Sequence, residues 1–167
     1  MCSTVPPIVP DLLFRTDIGS IPETIAALTA PPMLMTAAVL ASMRDQRSGV
    51  IINVASDAGK TATPGESIIG AAMAAIIMFS RTVAMEAKRD GIRVNVLTPS
   101  LIAGTETSAR VLKEGFSAKL FAKAASMASL GVADPADLAA LAVFLASPAA
   151  RRLTGQAISV NGGISAA

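Results

Sequence analysis

The sequence predicts an α/β domain in which a three-stranded parallel sheet is flanked by helices. Three short runs of apolar and β-branched residues, 50–54, 92–97 and 157–160, are separated by long apolar helical segments. Strands that alternate with helices of this length form parallel βαβ crossovers. Of the 167 residues, 52% are hydrophobic and 16% are charged, which supplies enough apolar material for one core and argues against disorder.

The chain is predicted to start with an extended arm, residues 1–19, followed by a single domain, residues 20–167. The arm has three prolines among its first ten residues and no regular period. Ser20 then predicts a helix N-cap, with Glu23 completing a capping box. The Pro-Pro pair at 31–32 is expected to interrupt this helix or to begin the next one.

A long helix is predicted over residues 66–89, with apolar side chains around most of its circumference, so it must be buried on more than one side. Further helical segments are expected at 107–114, 117–128 and 135–146. The last one begins with Asp134 as its N-cap and a proline at the first helical position. The methionines on helix faces are predicted to pack in the core or in helix–helix contacts. They are Met33, Met35, Met43, Met73, Met78, Met85 and Met127.

The composition excludes several classes of function. The net charge of +2 is small and evenly scattered, which indicates no nucleic-acid partner. The chain contains no His, so imidazole catalysis and most zinc sites are excluded, and there is no metal-ligand cluster or phosphate loop. The single cysteine, Cys2, rules out an internal disulfide and makes the cytoplasm the expected location.

Neither a secretory signal nor a membrane span is predicted. Residues 1–11 lack a basic segment followed by an apolar run. The longest nearly uncharged stretch, residues 26–43, contains two prolines and several hydroxyl residues. A buried core helix explains this stretch better than a membrane span does.

Several motifs occur in the order in which one enzyme family carries them. They are residues 51–56 (Ile-Ile-Asn-Val-Ala-Ser), the pairs Gly70-Ala71 and Ala74-Ala75, residues 80–86, residues 91–99 (Gly-Ile-Arg-Val-Asn-Val-Leu-Thr-Pro), residues 153–156 and residues 160–163 (Val-Asn-Gly-Gly). Over about residues 21–163 the chain therefore resembles the C-terminal half of the short-chain dehydrogenases/reductases. The resemblance implies a truncated Rossmann-like fold that lacks the N-terminal dinucleotide-binding half.

The family binds its cofactor pyrophosphate on a glycine-rich turn after the first strand. No Gly-x-x-x-Gly-x-Gly pattern exists in this sequence, and only Gly19 precedes Gly49. We therefore expect no cofactor, unless a partner chain supplies the missing half of an NAD(P) site. Ser100 stands where the family usually has Gly. Only one loop could contact a nicotinamide, through Pro99, Ser100, Ile102 and Thr105.

The resemblance also implies a proton relay that this sequence has lost. In the family a Tyr exchanges a proton with the substrate oxygen, and a Lys four residues later lowers the pKa of that Tyr. Counting from Ser56, which matches the catalytic serine, places Ile69 at the Tyr position and Met73 at the Lys position. Neither side chain can transfer or tune a proton. The family's relay Asn aligns with Ala27, and the chain contains no Tyr in any register.

Ser56 and Asp57 are the remaining candidate catalytic residues. Ser56 could orient a carbonyl or hydroxyl group with Asp57 as a general base, or it could be a strand-end hydroxyl that satisfies loop backbone. The nearby charged residues Asp57, Lys60 and Glu66 are predicted to occupy solvated positions on loops. The segment 115–121 is expected to be either a lid over an apolar pocket or a part of the core.

The same resemblance suggests an oligomer. Helices 32–46 and 66–89 match the pair that forms a four-helix dimer interface in the family. Without a preceding half, the strand at 50–54 would also have an unpaired edge, which the arm or a second chain must cover.

Three hypotheses about function remain open. The first is a family-derived protein without hydride transfer that acts as an oligomeric subunit or as the partner of a full-length relative. The second is a non-redox enzyme, such as a cyclase, isomerase or dehydratase, that uses Ser56 on an apolar metabolite. The third is an NAD(P)-dependent oxidoreductase completed by a partner chain.

Overall fold

The computed structural model describes residues 8–113 and 115–166. Residues 1–7 of the predicted arm, Glu114 at the end of one predicted helix, and Ala167 lie outside these described residues. The described part contains a three-stranded parallel sheet in the order β1-β2-β3, which confirms the predicted fold class. The strands are β1 (Gly49–Val54), β2 (Ile92–Pro99) and β3 (Ala157–Val160).

Five α-helices surround the sheet in the described residues. They are α1 (Ile21–Asp45), α2 (Ser67–Ala87), α3 (Glu106–Val111), α4 (Gly115–Met127) and α5 (Pro135–Ala146). The helices α1 and α2 pack together, and α2 covers one face of β2, while α5 lies against the opposite face of the sheet. Alternating residues serve the two layers: Ile51 packs toward α2, and Ile52 packs toward α5.

The first helix corrects two predictions. α1 continues through Pro31 and Pro32 without a break between two helices. Each proline removes one helical hydrogen bond, but the packing of α1 along α2 outweighs this loss. The predicted capping box is also wrong: the Ser20 side chain caps nothing and instead donates a 2.7 Å hydrogen bond to the Asp17 carbonyl. A 3₁₀ turn at Ile18–Ser20 leads directly into α1, so Ser20 already has helical backbone angles.

The segment before α1 is irregular, with one further 3₁₀ turn at Leu13–Arg15. Ile8 packs against the cluster of α2 side chains, and Pro10 is buried. Within the described residues this segment does not pair with β1, whose one strand neighbour is β2. Residues 8–20 therefore do not extend the sheet at the outer edge of β1.

Two glycines allow the loop after β1 to lie directly on α2. A Cβ atom on Gly59 would be 2.8 Å from the backbone of Met73 and Ala74, and a Cβ atom on Gly70 would be 2.7 Å from the Ala58 carbonyl oxygen. No side chain fits at either position unless the backbone moves. This close approach fixes Ser56, at the start of the loop, relative to the first turns of α2.

By length and composition alone, the segments Ile18–Asp45 and Ser67–Asp90 could cross a membrane. The core helices of soluble proteins pass the same test, and α2 packs on β2 as such a helix does. This is weak evidence for a span.

Candidate functional site

A cleft of about 790 Å³ opens at the carboxyl ends of β1 and β2. This is the edge at which open α/β sheets bind ligands. Its walls come from α1, the loop after β1, the start of α2, the loop after β2, α3 and α4. The structure brings the sequence-predicted site residues together here, namely Ala27, Ser56, Asp57, Ile69, Met73, Pro99, Ser100, Ile102 and Thr105.

Ser56 follows β1 and is partly exposed to the cleft. Its Oγ accepts a 3.2 Å hydrogen bond from the Ala58 N–H and caps the 3₁₀ turn Asp57–Gly59. Among the described residues its hydroxyl hydrogen has no acceptor. Ser56 thus satisfies loop backbone and still has a proton to donate to an oxygen in the cleft.

Asp57 is only 5% exposed, so the prediction of a solvated position is wrong. Its Oδ1 accepts from the Ser159 hydroxyl at 2.8 Å, and its Oδ2 accepts from the Ser165 hydroxyl at 2.6 Å and from the Asn161 amide. Three donors from the C-terminal segment satisfy this buried carboxylate, which otherwise would be costly to desolvate. Asp57 therefore anchors the loop after β1 to the end of β3.

Lys60 belongs to the same cluster, and its predicted solvated position is also wrong. Its Nζ lies 3.7 Å from the Asp57 carboxylate and donates a 2.5 Å hydrogen bond to the Ser159 hydroxyl. The side chain is 10% exposed. The Lys60 ammonium group thus balances the charge of the buried Asp57 carboxylate beside the sheet.

Ile69 and Met73 lie on the first turns of α2 and line the cleft. Met73 is buried in the core cluster with Ala72 and Ile76, and Ile69 packs against that cluster. Both positions hold apolar side chains, so this wall of the cleft has no group that can exchange a proton.

Glu66 is a residue whose significance the sequence did not reveal. It is the residue before α2 and three positions before Ile69 in the sequence. Its side chain is partly buried and lines the cleft. Its carboxyl makes no hydrogen bond or ion pair within the described part of the chain. Desolvation by burial raises the pKa of Glu66 from 4.5 to about 7. Its position before an apolar helix could have signalled partial burial.

The loop after β2 is held by its own hydrogen bonds. The Thr105 hydroxyl donates to the Ile102 carbonyl at 3.0 Å and accepts from the Ser108 N–H, which caps α3. Pro99 is the last residue of β2 and is buried. These contacts give the loop a fixed shape along the cleft.

The helix α4 forms the outer wall of the cleft through Leu120, Phe121 and Met127. The ring of Phe116 lies directly against Gly65, where any Cβ atom would collide with it. The segment 115–121 therefore packs on the loop before α2, and its Leu120 and Phe121 also line the cleft. Among residues 8–113 and 115–166, no group of three His, Cys, Asp or Glu side chains could hold a metal ion.

Together, the fold and the cleft define a Rossmann-like α/β protein with its ligand site at the strand ends. A family model described as enoyl-(acyl carrier protein) reductase matches residues 15–165. The chain belongs to this family and, with it, to the short-chain dehydrogenases/reductases.

Curated relatives agree with this assignment. The chain is 34% identical over 154 residues to the 3-oxoacyl-[acyl-carrier-protein] reductase FabG of Vibrio harveyi, covering 92% of this chain and 61% of that protein. It is 31% identical over 152 residues to the inactive 2-(S)-hydroxypropyl-CoM dehydrogenase 2 of Xanthobacter autotrophicus, covering 90% of this chain and 66% of the relative. The chain thus spans roughly three fifths of such relatives.

Solved structures give the same result. A short-chain dehydrogenase/reductase family oxidoreductase from Burkholderia thailandensis superposes with a TM-score of 0.81 at 33% identity. That match covers 93% of this chain and 60% of the other. The 3-oxoacyl-[acyl-carrier protein] reductase from Brucella melitensis superposes with a TM-score of 0.80 at 27% identity, covering 93% and 56%.

Proposed function

We propose that this chain does not perform hydride transfer through a Tyr–Lys relay. It acts as a subunit of an oligomer, either with further copies of itself or with a full-length relative. The observation that carries the proposal is the pair Ile69 and Met73, which line the cleft where the family places its proton donor and the cation that tunes it. An apolar wall can bind a ligand by shape, but it cannot supply the proton that carbonyl reduction requires. A cytoplasmic location is part of the proposal.

Among residues 8–113 and 115–166, nothing fits the pyrophosphate of the cofactor that the family implies. The strand-to-helix turns in the described residues contain no glycine-rich cradle for a pyrophosphate, and the turn after β1 is closed by the Ser56 cap and the Asp57 anchor. Asp57 is a poor general base here, because both of its oxygens already accept protein hydrogen bonds. Only the loop 99–105 is left to contact a nicotinamide.

The outer faces of α1 and α2 support the subunit role. On α2 the exposed residues Ala71, Ala74, Met78, Thr82 and Met85 follow a helical spacing of three and four. Met78 is 59% exposed and Met85 is 61% exposed. The neighbouring α1 exposes Leu34 to 68%. A continuous uncharged stripe of this kind is typical of a helix–helix interface.

The oligomer is tested by the mass of the purified protein in solution across a range of concentrations, measured by light scattering. We expect a dimer or larger assembly for the wild type and a monomer for Met78→Asp, because a charge in the stripe must be desolvated on association. Leu130→Asp is the matched control, since Leu130 is 88% exposed and lies in the connection between α4 and α5. A wild-type monomer at every concentration, both alone and mixed with a full-length relative, would contradict the subunit proposal, as would equal disruption by both variants.

A non-redox reaction is the second candidate function, and Glu66 and Ser56 favour it. Both residues line the cleft, and both retain protons that no described protein group takes up. A cleft with these two groups could hold and polarise a ligand without a nicotinamide.

A further inference from the structure

The uncharged stripe on α2 carries two large side chains, and both are methionines. Met78 is 59% exposed and Met85 is 61% exposed. They are seven positions apart in the sequence, about two helical turns, so they lie on the same face of α2. The other residues of the stripe, Ala71, Ala74 and Thr82, are smaller. Two thioethers therefore supply most of the apolar surface that α2 offers to a partner.

The other methionines provide a comparison for the reactivity of these two. Met73, on the same helix, is only 7% exposed and lies in the core. Met127 is 47% exposed but lies at the end of α4, on the wall of the cleft. Oxidation of a thioether requires access to its sulfur atom. In a dissociated chain, Met78, Met85 and Met127 are therefore open to oxidants, whereas Met73 is protected.

The sulfur atom of Met85 also has a charged neighbour. The Lys88 ammonium group donates to Met85 Sδ at 3.9 Å. A thioether sulfur is a weak acceptor, whereas the oxygen of a sulfoxide is a polar group that would accept from the same ammonium group more strongly. Oxidised Met85 thus has a hydrogen-bond partner ready in the dissociated chain. Burying that charged pair in a helix–helix contact is costly.

We propose that Met78 and Met85 are a peroxide-sensitive modification site that controls assembly through the stripe. The thioether sulfur attacks one oxygen of hydrogen peroxide, and the S–O bond forms as the O–O bond breaks. The proton of the attacked oxygen passes to the departing oxygen, which leaves as water. The sulfur loses two electrons and the peroxide gains them. The proposal rests on the proposed role as a subunit, whose contact surface it regulates.

Assembly and oxidation exclude each other at this surface. In the oligomer the partner helices cover both sulfur atoms, so peroxide reaches them only in the dissociated chain. A sulfoxide is polar, and burying it without a partner weakens association about ten-fold or more at each position. Peroxide therefore traps the dissociated chain, and the oligomer persists only while both thioethers are reduced.

The test treats the purified protein with hydrogen peroxide and follows its mass by light scattering and each sulfoxide by peptide mass spectrometry. All samples carry Cys2→Ser, because peroxide also oxidises thiols. We expect Met78 and Met85 to be oxidised about ten-fold more slowly where about nine tenths of the chains are assembled than in the monomer. Met127 is the internal reference, and its rate should not depend on assembly. Methionine sulfoxide reductases should restore the oligomer.

A double variant, Met78→Leu with Met85→Leu, separates this site from oxidation elsewhere. Leucine keeps an apolar side chain of similar volume and has no sulfur to oxidise. The double variant should assemble as the wild type does and should stay assembled in peroxide. Met127→Leu is the matched control and should dissociate in peroxide as the wild type does. Far-UV circular dichroism of the oxidised samples verifies the fold.

The proposal is wrong if the assembly keeps its mass while both sulfur atoms are oxidised, or if the double leucine variant dissociates in peroxide as the wild type does. It is also wrong if Met78 and Met85 are oxidised as fast in the assembly as in the monomer. A wild type that is monomeric before peroxide is added, both alone and mixed with a full-length relative, contradicts the subunit proposal and this one together. An assembly that survives oxidation contradicts this one alone.

Discussion

At the scale of single residues, the chemistry of this protein depends on which polar groups are satisfied. Asp57 and Glu66 stand on the same loop region, yet one is saturated by three donors and the other has no partner among the described residues. Both were predicted to be solvated, because the charge of a loop residue does not reveal whether the loop packs against the core. The positions of Ile69 and Met73 were predictable, since their spacing from Ser56 matches a known motif.

Glu66 makes stability depend on pH. Its pKa is raised in the folded state from 4.5 to about 7, so the folded protein binds this proton more tightly than the unfolded chain does. The contribution to stability is full below about pH 4.5 and is lost as the pH rises through 7. In the wild type, Glu66 should lower the free energy of unfolding by roughly 2–3 kcal/mol between pH 5 and pH 8, and Glu66→Gln should lack this decrease.

The measurement is urea denaturation of both proteins at several pH values. Glu86→Gln, which changes an exposed carboxyl near the end of α2, is the control and should retain the wild-type dependence of stability on pH. If the stability of Glu66→Gln depends on pH as steeply as that of the wild type, then the pKa of Glu66 is not raised in the folded protein.

At the scale of elements, the cleft depends on how closely the loop after β1 approaches α2. The helices and strands were predictable from apolar runs, glycines and prolines, and their ends differ by only a few residues from the expectation. The continuity of α1 through its two prolines was not predictable, because it depends on tertiary packing that local propensity does not contain. Met78 and Met85 are exposed, so they do not pack in the core. Of the two roles predicted for the methionines, helix–helix contact is the one that these two positions allow.

Gly59→Ala tests this close approach. The new Cβ atom would be 2.8 Å from the α2 backbone at Met73 and Ala74, so the loop or the helix must shift. We expect a loss of about 1–3 kcal/mol in the free energy of unfolding, typical of overpacking. Gly19→Ala is the matched control, because its Cβ atom would have no neighbour closer than 3.4 Å, and it should be nearly neutral. Equal effects of the two substitutions in chemical denaturation would contradict the tight loop–helix contact.

At the scale of the whole molecule, the described residues form a sheet with layers on both faces and two outer strands, β1 and β3, that each have one strand neighbour among them. The fold class was predictable because βαβ alternation leaves few topologies. The path of residues 8–20, which do not pair with β1, was not predictable, since it depends on tertiary contacts such as that of Ile8 with the core. The uncharged stripe on α2 and the apolar cleft are separate surfaces, so assembly and ligand binding can be altered independently.

The most direct test of the central claim is hydride transfer itself. The purified protein is incubated with NADPH and a 3-oxoacyl thioester, and the loss of NADPH absorbance is compared with a sample lacking protein. We predict no oxidation above this background for the wild type, because Ile69 and Met73 cannot supply or tune the proton. Steady NADPH oxidation by the wild type that falls in Ser56→Ala would contradict the account, since it would place a working reductase in this cleft.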